Sequence, residues 1–134
     1  MKIIMLDIDD TLLQNKTDPT KWAKSIMKQI PAGVAVALVT SRSDNEYTET
    51  KESLKKTGIK YDKLFFHQNG NDNPHQTARK WKVSVARRLE NSGFQVVVAI
   101  DNDAGARIAY GEAGIETTAP QWFEYKDYLK GEKK

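Results

Sequence analysis

Asp7, Asp9 and Asp10 fall within four residues, in the run Asp7-Ile8-Asp9-Asp10-Thr11, directly after the apolar segment Ile3-Ile4-Met5-Leu6. Four apolar residues read as a buried strand. Polar groups clustered where such a strand ends sit at the rim of a sheet, where open α/β folds bind ligands. Side chains alternate along an extended chain, so Asp7 and Asp9 point to the same side. Two carboxylates held close repel each other unless a cation or a proton lies between them. Such a pair suits Mg2+ and phosphate chemistry, with one carboxylate as nucleophile and the other as general acid/base. Asp and Thr after a strand also serve as helix caps or turn residues, but three acids in four residues exceed what one cap needs.

The elements that must position this motif alternate along the chain. Asp18-Pro19 predicts an N-cap with proline at the first helical position. Trp22, Ile26 and Ile30 then recur at helical spacing, predicting a helix over 19–30 that Pro31-Ala32-Gly33 ends. Val34 to Val39 is a second buried strand. Ser43-Asp44-Asn45-Glu46 has capping-box spacing, and the helix it opens ends at Gly58. Leu64-Phe65-Phe66 is a short third strand, and His67 to Thr77 is a polar loop. Trp81, Val85 and Leu89 mark a helix over 78–92, Val96 to Ile100 a fourth strand, and 104–113 a further helix stopped by Gly114. An edge strand over Ile115–Thr118 is expected, and then a segment from Pro120 in which Trp122, Phe123, Tyr125 and Leu129 cover the sheet. Strands alternating with helices imply right-handed crossovers. The predicted fold is α/β, a single doubly wound, Rossmann-like, mainly parallel sheet with helices on both faces and residues 1–134 in one domain.

Composition narrows the class. A chain of 134 residues can bury a proper core without staples. It has no cysteine, which excludes a disulfide framework, a thiolate metal site and a thiol nucleophile. No apolar run approaches a membrane span, and the N-terminus has no signal-peptide pattern, so a cytoplasmic protein without membrane contact is expected. The net charge of +3 permits a polyanionic partner without requiring one.

In a parallel sheet every carboxyl end lies on one edge. That edge collects the Asp7–Thr11 motif, Thr40-Ser41-Arg42 after the second strand, and Asp101-Asn102-Asp103 after the fourth. Lys80 and Lys82 lie at the start of the helix leading into that fourth strand, facing well apart. Mg2+ prefers carboxylates, water and phosphate oxygens. A hydroxyl and an ammonium can hold the equatorial oxygens of a phosphoryl group in transfer.

With these motifs in place the chain resembles the haloacid dehalogenase-like (HAD) hydrolase superfamily. Its four motifs correspond here to Leu6-Asp7-Ile8-Asp9-Asp10-Thr11-Leu12, Ala37-Leu38-Val39-Thr40, Lys82, and Ala99-Ile100-Asp101-Asn102-Asp103. The resemblance runs from residue 2 to about residue 115. It implies that Asp7 is the nucleophile that forms an aspartyl-phosphate, and that Asp9 protonates the leaving group and then activates water. It implies a phosphatase rather than a dehalogenase. Mg2+ would lie between Asp7, the Asp9 main-chain carbonyl and Asp101, with Asp103 as a further candidate ligand because Asn102 interrupts the acidic pair. Thr40 would bind phosphoryl oxygens and Lys82 would bridge Asp7 and the phosphate, with Lys80 as the alternative lysine. Thr11 would fix the turn of the motif and, with Ser41 and Arg42, border the substrate.

Caps in this superfamily are inserted after the first motif or between the second and third. Leu13 to Gly33 and Ser41 to Arg79 have no room for one, so an open site is expected. Open sites of this kind serve macromolecules or take a lid from a second subunit, which allows a homodimer. Among capless members the chain is most similar to the 3′-phosphatase domains of phage polynucleotide kinases, through Thr40-Ser41-Arg42, the short third strand, and the run from Lys82 to Ala99-Ile100-Asp101. The Arg- and Asp-rich stretch usual ahead of the lysine is not matched by Gln76-Thr77-Ala78-Arg79. The resemblance implies removal of a 3′-phosphate from nucleic acid ends, with a small phosphomonoester such as a nucleotide or sugar phosphate as the alternative. A receiver domain is disfavoured because its acceptor Asp would end the third strand, where His67-Gln68 stands. A non-catalytic binding module of the same fold is the remaining alternative. His67 and His75 have no cysteine beside them and make no zinc site.

Overall fold

The computed structural model describes residues 1–67 and 78–129. Its elements are β1 (Lys2–Leu6), β2 (Leu13–Gln14), β3 (Asp18–Pro19), α1 (Ala23–Gln29), β4 (Ala35–Ser43), α2 (Tyr47–Lys56), β5 (Lys63–His67), α3 (Ala78–Asn91), β6 (Gln95–Ile100), α4 (Ala104–Glu112) and β7 (Thr117–Thr118). Five strands form a parallel sheet in the order β5-β4-β1-β6-β7. The chain leaves β1 towards β4 on one side and returns to β6 on the other. The order therefore reverses beside β1, and the crevice at the carboxyl ends of β1 and β6 is where such sheets bind ligands.

Alternation within the strands produces two cores. Ile4, Leu6, Val36, Leu38, Val98 and Ile100 pack with Ala23 and Ile26 of α1, Leu54 of α2, and Phe123 and Tyr125. Ile3, Met5, Ala37, Val39 and Ala99 pack on the other side with Val85, Ala86 and Leu89 of α3 and with Ala106 and Tyr110 of α4. The sheet is thus covered on both faces, as near-continuous apolar strands require. The period-two alternation assigns Asp7, two residues beyond Met5, and Asp101, two beyond Ala99, to the α3 side.

Several boundaries differ from the sequence reading. Asp18-Pro19 does not open the first helix. It pairs antiparallel with Leu13–Gln14, around a turn in which Asn15 and Lys16 take φ of 52° and 69°. Proline is tolerated at such an edge, and the Thr20 amide then donates to the Leu12 carbonyl at 2.9 Å, which delays α1 to Ala23. Strand β4 runs on through Thr40, Ser41 and Arg42 to Ser43, with a bulge against β5 between Thr40 and Ser43. Ser43 caps a short 3₁₀ turn over Asp44–Glu46, accepting from the Asn45 amide at 3.2 Å, and α2 follows it directly. Gly58 and Gly114 close their helices at φ of 73° and 79°, the left-handed geometry glycine supplies without strain. The C-terminal segment holds two 3₁₀ turns, Pro120–Trp122 and Tyr125–Tyr128. Phe123 and Tyr125 are buried there, but Trp122 is 63% exposed and does not cover the sheet. His67 ends β5 and its ring lies 5.2 Å from that of Trp81; the rest of the expected loop, with Asp72 and His75, lies outside the described residues. Among the described residues there is no cap module, and no helix long and apolar enough to cross a membrane.

Candidate active site

Two loops leave the central strands at the crevice and are tied together. After β1 the backbone turns at once. The amides of Leu12 and Leu13 both donate to the Ile8 carbonyl at 2.9 Å, and Asp10 adopts a φ of 62°. Thr11 is fully buried in this turn. Its Oγ1 donates to Asp7 Oδ2 at 3.3 Å and accepts from the Asn102 amide at 3.1 Å, linking the β1 loop to the β6 loop. Its carbonyl accepts from the Thr20 hydroxyl at 2.7 Å. Thr11 therefore builds the turn, as expected, but it presents no surface to a substrate.

Lys82 reaches over from α3, one of the few charged side chains in the core. It is 5% exposed, its Nζ 3.1 Å from Asp7 Oδ1 and 2.6 Å from Asp101 Oδ2. Asp101 is 1% exposed and its Oδ1 accepts the Asp103 backbone N–H at 2.9 Å. Two buried carboxylates share one ammonium, so the cluster carries one negative charge in excess when all three groups are ionised. Burial, and then the Asp101 charge, push the Asp7 carboxyl up to about 8 despite Lys82. For Lys82 burial opposes the charge, but Asp7 and Asp101 outweigh it and hold the ammonium above its ordinary value. Between the two candidate lysines, Lys82 is the one on Asp7.

The donor set suits a divalent cation. Among the described residues no three His, Cys, Asp or Glu side chains gather into a metal cluster of their own. Mg2+ does not require one, since it is commonly held by one or two carboxylates, water and substrate phosphate. The carboxyl groups of Asp7 and Asp101, with the Asp9 carbonyl beside Asp7, fit that pattern.

Asp9 and Arg42 form a second, balanced pair. Arg42 is 6% exposed, and its Nε and Nη2 grip the Asp9 carboxylate at 3.0 and 2.7 Å. Nη1 donates to Thr50 Oγ1 at 2.9 Å and Nη2 also to the Lys16 carbonyl at 3.1 Å. The hydrogen bond to Asp9 raises the Arg42 pKa further. Arg42 was expected beside the substrate; it is instead folded inward, because β4 stays extended through it and aims it at the β1 loop. Thr40 is fully buried and its Oγ1 accepts the Arg42 backbone N–H at 3.0 Å, while Ser41 between them is exposed.

Asp103 lies apart from Asp7. Its carboxylate caps α4, accepting from the amides of Gly105 and Ala106 at 3.3 and 3.2 Å, and pairs with Arg79 Nε at 2.8 Å. Arg79 draws its carboxyl below the usual aspartate range. The Asp103 carboxylate is thus engaged at the first turn of α4. Sequence reasoning missed two partners here: Arg79, whose place three residues before Lys82 on the same helix face was the available signal, and Asn102, read only as an interruption.

With the geometry described, the relationships of the chain can be stated. Residues 19–105 match the family model of the HAD superfamily, subfamily IIIB (acid phosphatase), and the chain belongs to this family. The match takes in Thr40, Lys82 and Asp101, and the fold sets Asp7 beside the last two. No curated protein matches in sequence. Among solved structures, a chain of the Pnkp1/Rnl/Hen1 RNA repair complex is similar at a TM-score of 0.65 and 18% identity, over 88% of this chain and 42% of that one. The chain thus spans less than half the length of that relative. A D,D-heptose 1,7-bisphosphate phosphatase from B. bronchiseptica, complexed with magnesium and phosphate, is similar at 0.63 and 20% identity, over 87% and 79%. The HAD domain of the effector protein Lem4 from Legionella pneumophila gives 0.55 and 15%, over 97% and 92%. At such identities the likeness shows the fold alone.

Proposed function

We propose that this chain is a Mg2+-dependent phosphomonoesterase, a single domain that removes a 3′-phosphate from nucleic acid ends through an aspartyl-phosphate on Asp7. The observation that carries the reading is the buried cluster in which Lys82 lies on Asp7 Oδ1 at the switch point of the sheet. Asp7 Oδ1 attacks phosphorus, and the ester oxygen departs with a proton from Asp9, whose carboxylate must first leave its ion pair with Arg42 and take up that proton from solvent. A water then gives its proton to Asp9, attacks the phosphorus, and releases phosphate and free Asp7. Lys82 offsets the charge that builds on the phosphoryl oxygens. Arg42 holds the Asp9 carboxylate in register, which makes it a positioning residue, and Thr40 holds the backbone turn that delivers Arg42 and Ser41. Asp7, the Asp9 carbonyl and Asp101 would hold Mg2+, which when bound neutralises phosphate charge and aligns it for in-line attack.

Substrate choice rests on the lack of a cap module among the described residues, the net charge of +3 and the likeness to a chain of an RNA repair complex. The likeness to a heptose bisphosphate phosphatase favours a small phosphomonoester as the second reading. Comparing kcat/KM for a 3′-phosphorylated oligonucleotide, a mononucleotide and a sugar phosphate decides between them. The oligonucleotide is expected to be best at low salt, with the advantage shrinking as salt rises. Equal turnover of all three overturns the nucleic-acid reading and leaves the phosphatase reading intact. Full turnover in excess chelator overturns the metal requirement.

A further inference from the structure

Tyr47, Lys51 and Lys55 recur at every fourth position of α2 and so share one face of the helix. All three are exposed. The helix crosses back between two parallel strands, so it runs from the carboxyl edge of the sheet, where the site lies, to the amino edge. Its 10 residues, at about 1.5 Å each, carry the row over about 15 Å. The row begins beside the site, because Arg42, which holds Asp9, also donates to Thr50 Oγ1 in the first turn of α2 at 2.9 Å. There the Tyr47 ring packs 5.5 Å from that of Phe66, and its hydroxyl accepts from Lys51 Nζ at 3.1 Å.

The row ends at a cavity of about 580 Å3 lined by Lys51, Glu52, Lys55, Ile59, Lys60 and Tyr61. A second cavity, of about 430 Å3, shares Lys60 and Tyr61 with it and adds Lys28. Tyr61 is half-buried and packed against the core, so its ring is a fixed part of both walls. Charge and shape favour one kind of guest. Lys51 and Lys55 stand one turn apart with like charge, which destabilises a helix unless an anion offsets it. Lys55 and Lys60 are exposed, and among the described residues no ion pair holds either. Around the larger cavity three lysines stand against one glutamate. Lysines that follow a backbone, with an apolar and aromatic surface among them for a base, hold single strands without regard to sequence.

We infer that this face of α2 is a track for single-stranded nucleic acid leading away from the active site. With the 3′-terminal phosphate at Asp7, the nucleotides behind it follow Tyr47, Lys51 and Lys55. A base further back seats against Ile59 and Tyr61, with its phosphate on Lys60. A stacked strand rises about 3.4 Å per nucleotide, so about five nucleotides cover the row. A mononucleotide at Asp7 cannot span that length, and the gain in affinity belongs to the longer substrate alone. The choice of guest rests on the nucleic-acid reading above, while the face itself is set by α2 and draws on no part of the catalytic cluster.

Binding rather than turnover tests this. Single-stranded oligonucleotides with a 5′ fluorophore and a 3′-phosphate are titrated with the full chain carrying Asp7→Asn, so that the phosphate stays on, and anisotropy is read. Affinity is expected to rise with length to about five nucleotides and then level off. Adding Lys55→Gln and Lys60→Gln together should weaken binding of the longer strands about tenfold at about 0.1 M salt. It should also lower the slope of log affinity against log salt by about 0.7 for each lysine. Tyr61→Leu should weaken binding about fivefold and leave the slope unchanged. Should that variant not fold, the lysine pair, which is exposed, still decides. Unchanged affinity and slope in the lysine variant overturn the track and leave the nucleic-acid reading standing. Tighter binding of an oligoglutamate than of the oligonucleotide, lost in the same variant, overturns it in favour of an acidic protein partner. No binding of any oligonucleotide removes both the track and the nucleic-acid reading, and leaves the phosphatase reading intact.

Discussion

Two cations on one face of α3, Arg79 and Lys82, meet two acids of one loop, Asp103 and Asp101, and the outcomes differ. The Arg79–Asp103 pair lies at the surface, its side chains 56% and 41% exposed. Lys82 and Asp101 lie almost wholly buried and share their contact with Asp7. At the surface, water screens the charges and either partner can be lost at little cost. Inside, each charge has been taken out of water and depends on the others for compensation. One turn of helix therefore separates a helix-capping pair from a buried cluster of mutually compensating charges. Distance from solvent accounts for the difference, since the residue types are nearly the same.

The largest contrast should come from the carboxylates themselves. Asp7→Asn is expected to lower turnover by at least about 1,000-fold with the fold retained, because an amide offers no anionic lone pair to phosphorus. Asp103→Asn should change turnover by less than about twofold, since asparagine is still a competent helix cap. Steady-state assays with one phosphomonoester test both, and comparable losses at the two positions would erase the distinction.

Next come the cations, where stability carries the information. Lys82→Met leaves two buried carboxylates without a counter-charge, and should destabilise the metal-free protein by about 3–5 kcal/mol. Arg79→Met should cost far less, because water screens the exposed pair. Urea unfolding of the two variants in chelator makes the comparison, and similar midpoints would mean that burial does not set the energetics. Lys80→Met, without a place on Asp7, should leave turnover far closer to wild type than Lys82→Met does.

The smallest expected effect sharpens the surface half of the comparison. Arg79 depresses the Asp103 pKa, so the folded state favours the ionised carboxylate. That stabilisation is complete above the ordinary aspartate pKa and disappears as pH falls through the depressed one. The stability difference between wild type and Asp103→Asn should therefore narrow between neutral pH and about pH 3, and should stay below about 1 kcal/mol throughout. A difference that widens on acidification would mean that the pair does not favour the charged form.

Sequence alone determined what depends on local pattern and chemical type. The apolar runs Ile3–Leu6, Val34–Val39 and Val96–Ile100 specify buried strands because each face of a covered sheet must be apolar, and Gly58 and Gly114 mark helix ends because few other residues tolerate positive φ. The Asp7–Thr11 run announced charge at a strand end, and that position in an alternating chain was enough to suggest phosphate chemistry. Partner choice was decided only in three dimensions. Lys82 finds Asp7 across 75 residues, and Arg42 finds Asp9 across 33, distances over which no periodicity carries information. Asp18-Pro19 reads locally as a helix start, yet pairing with Leu13–Gln14 overrides that preference because backbone groups in the hairpin satisfy one another. Whether Asp103 or Asn102 faces the site likewise depended on the first turn of α4, whose unpaired amides claim the aspartate and leave the amide side chain to the crevice.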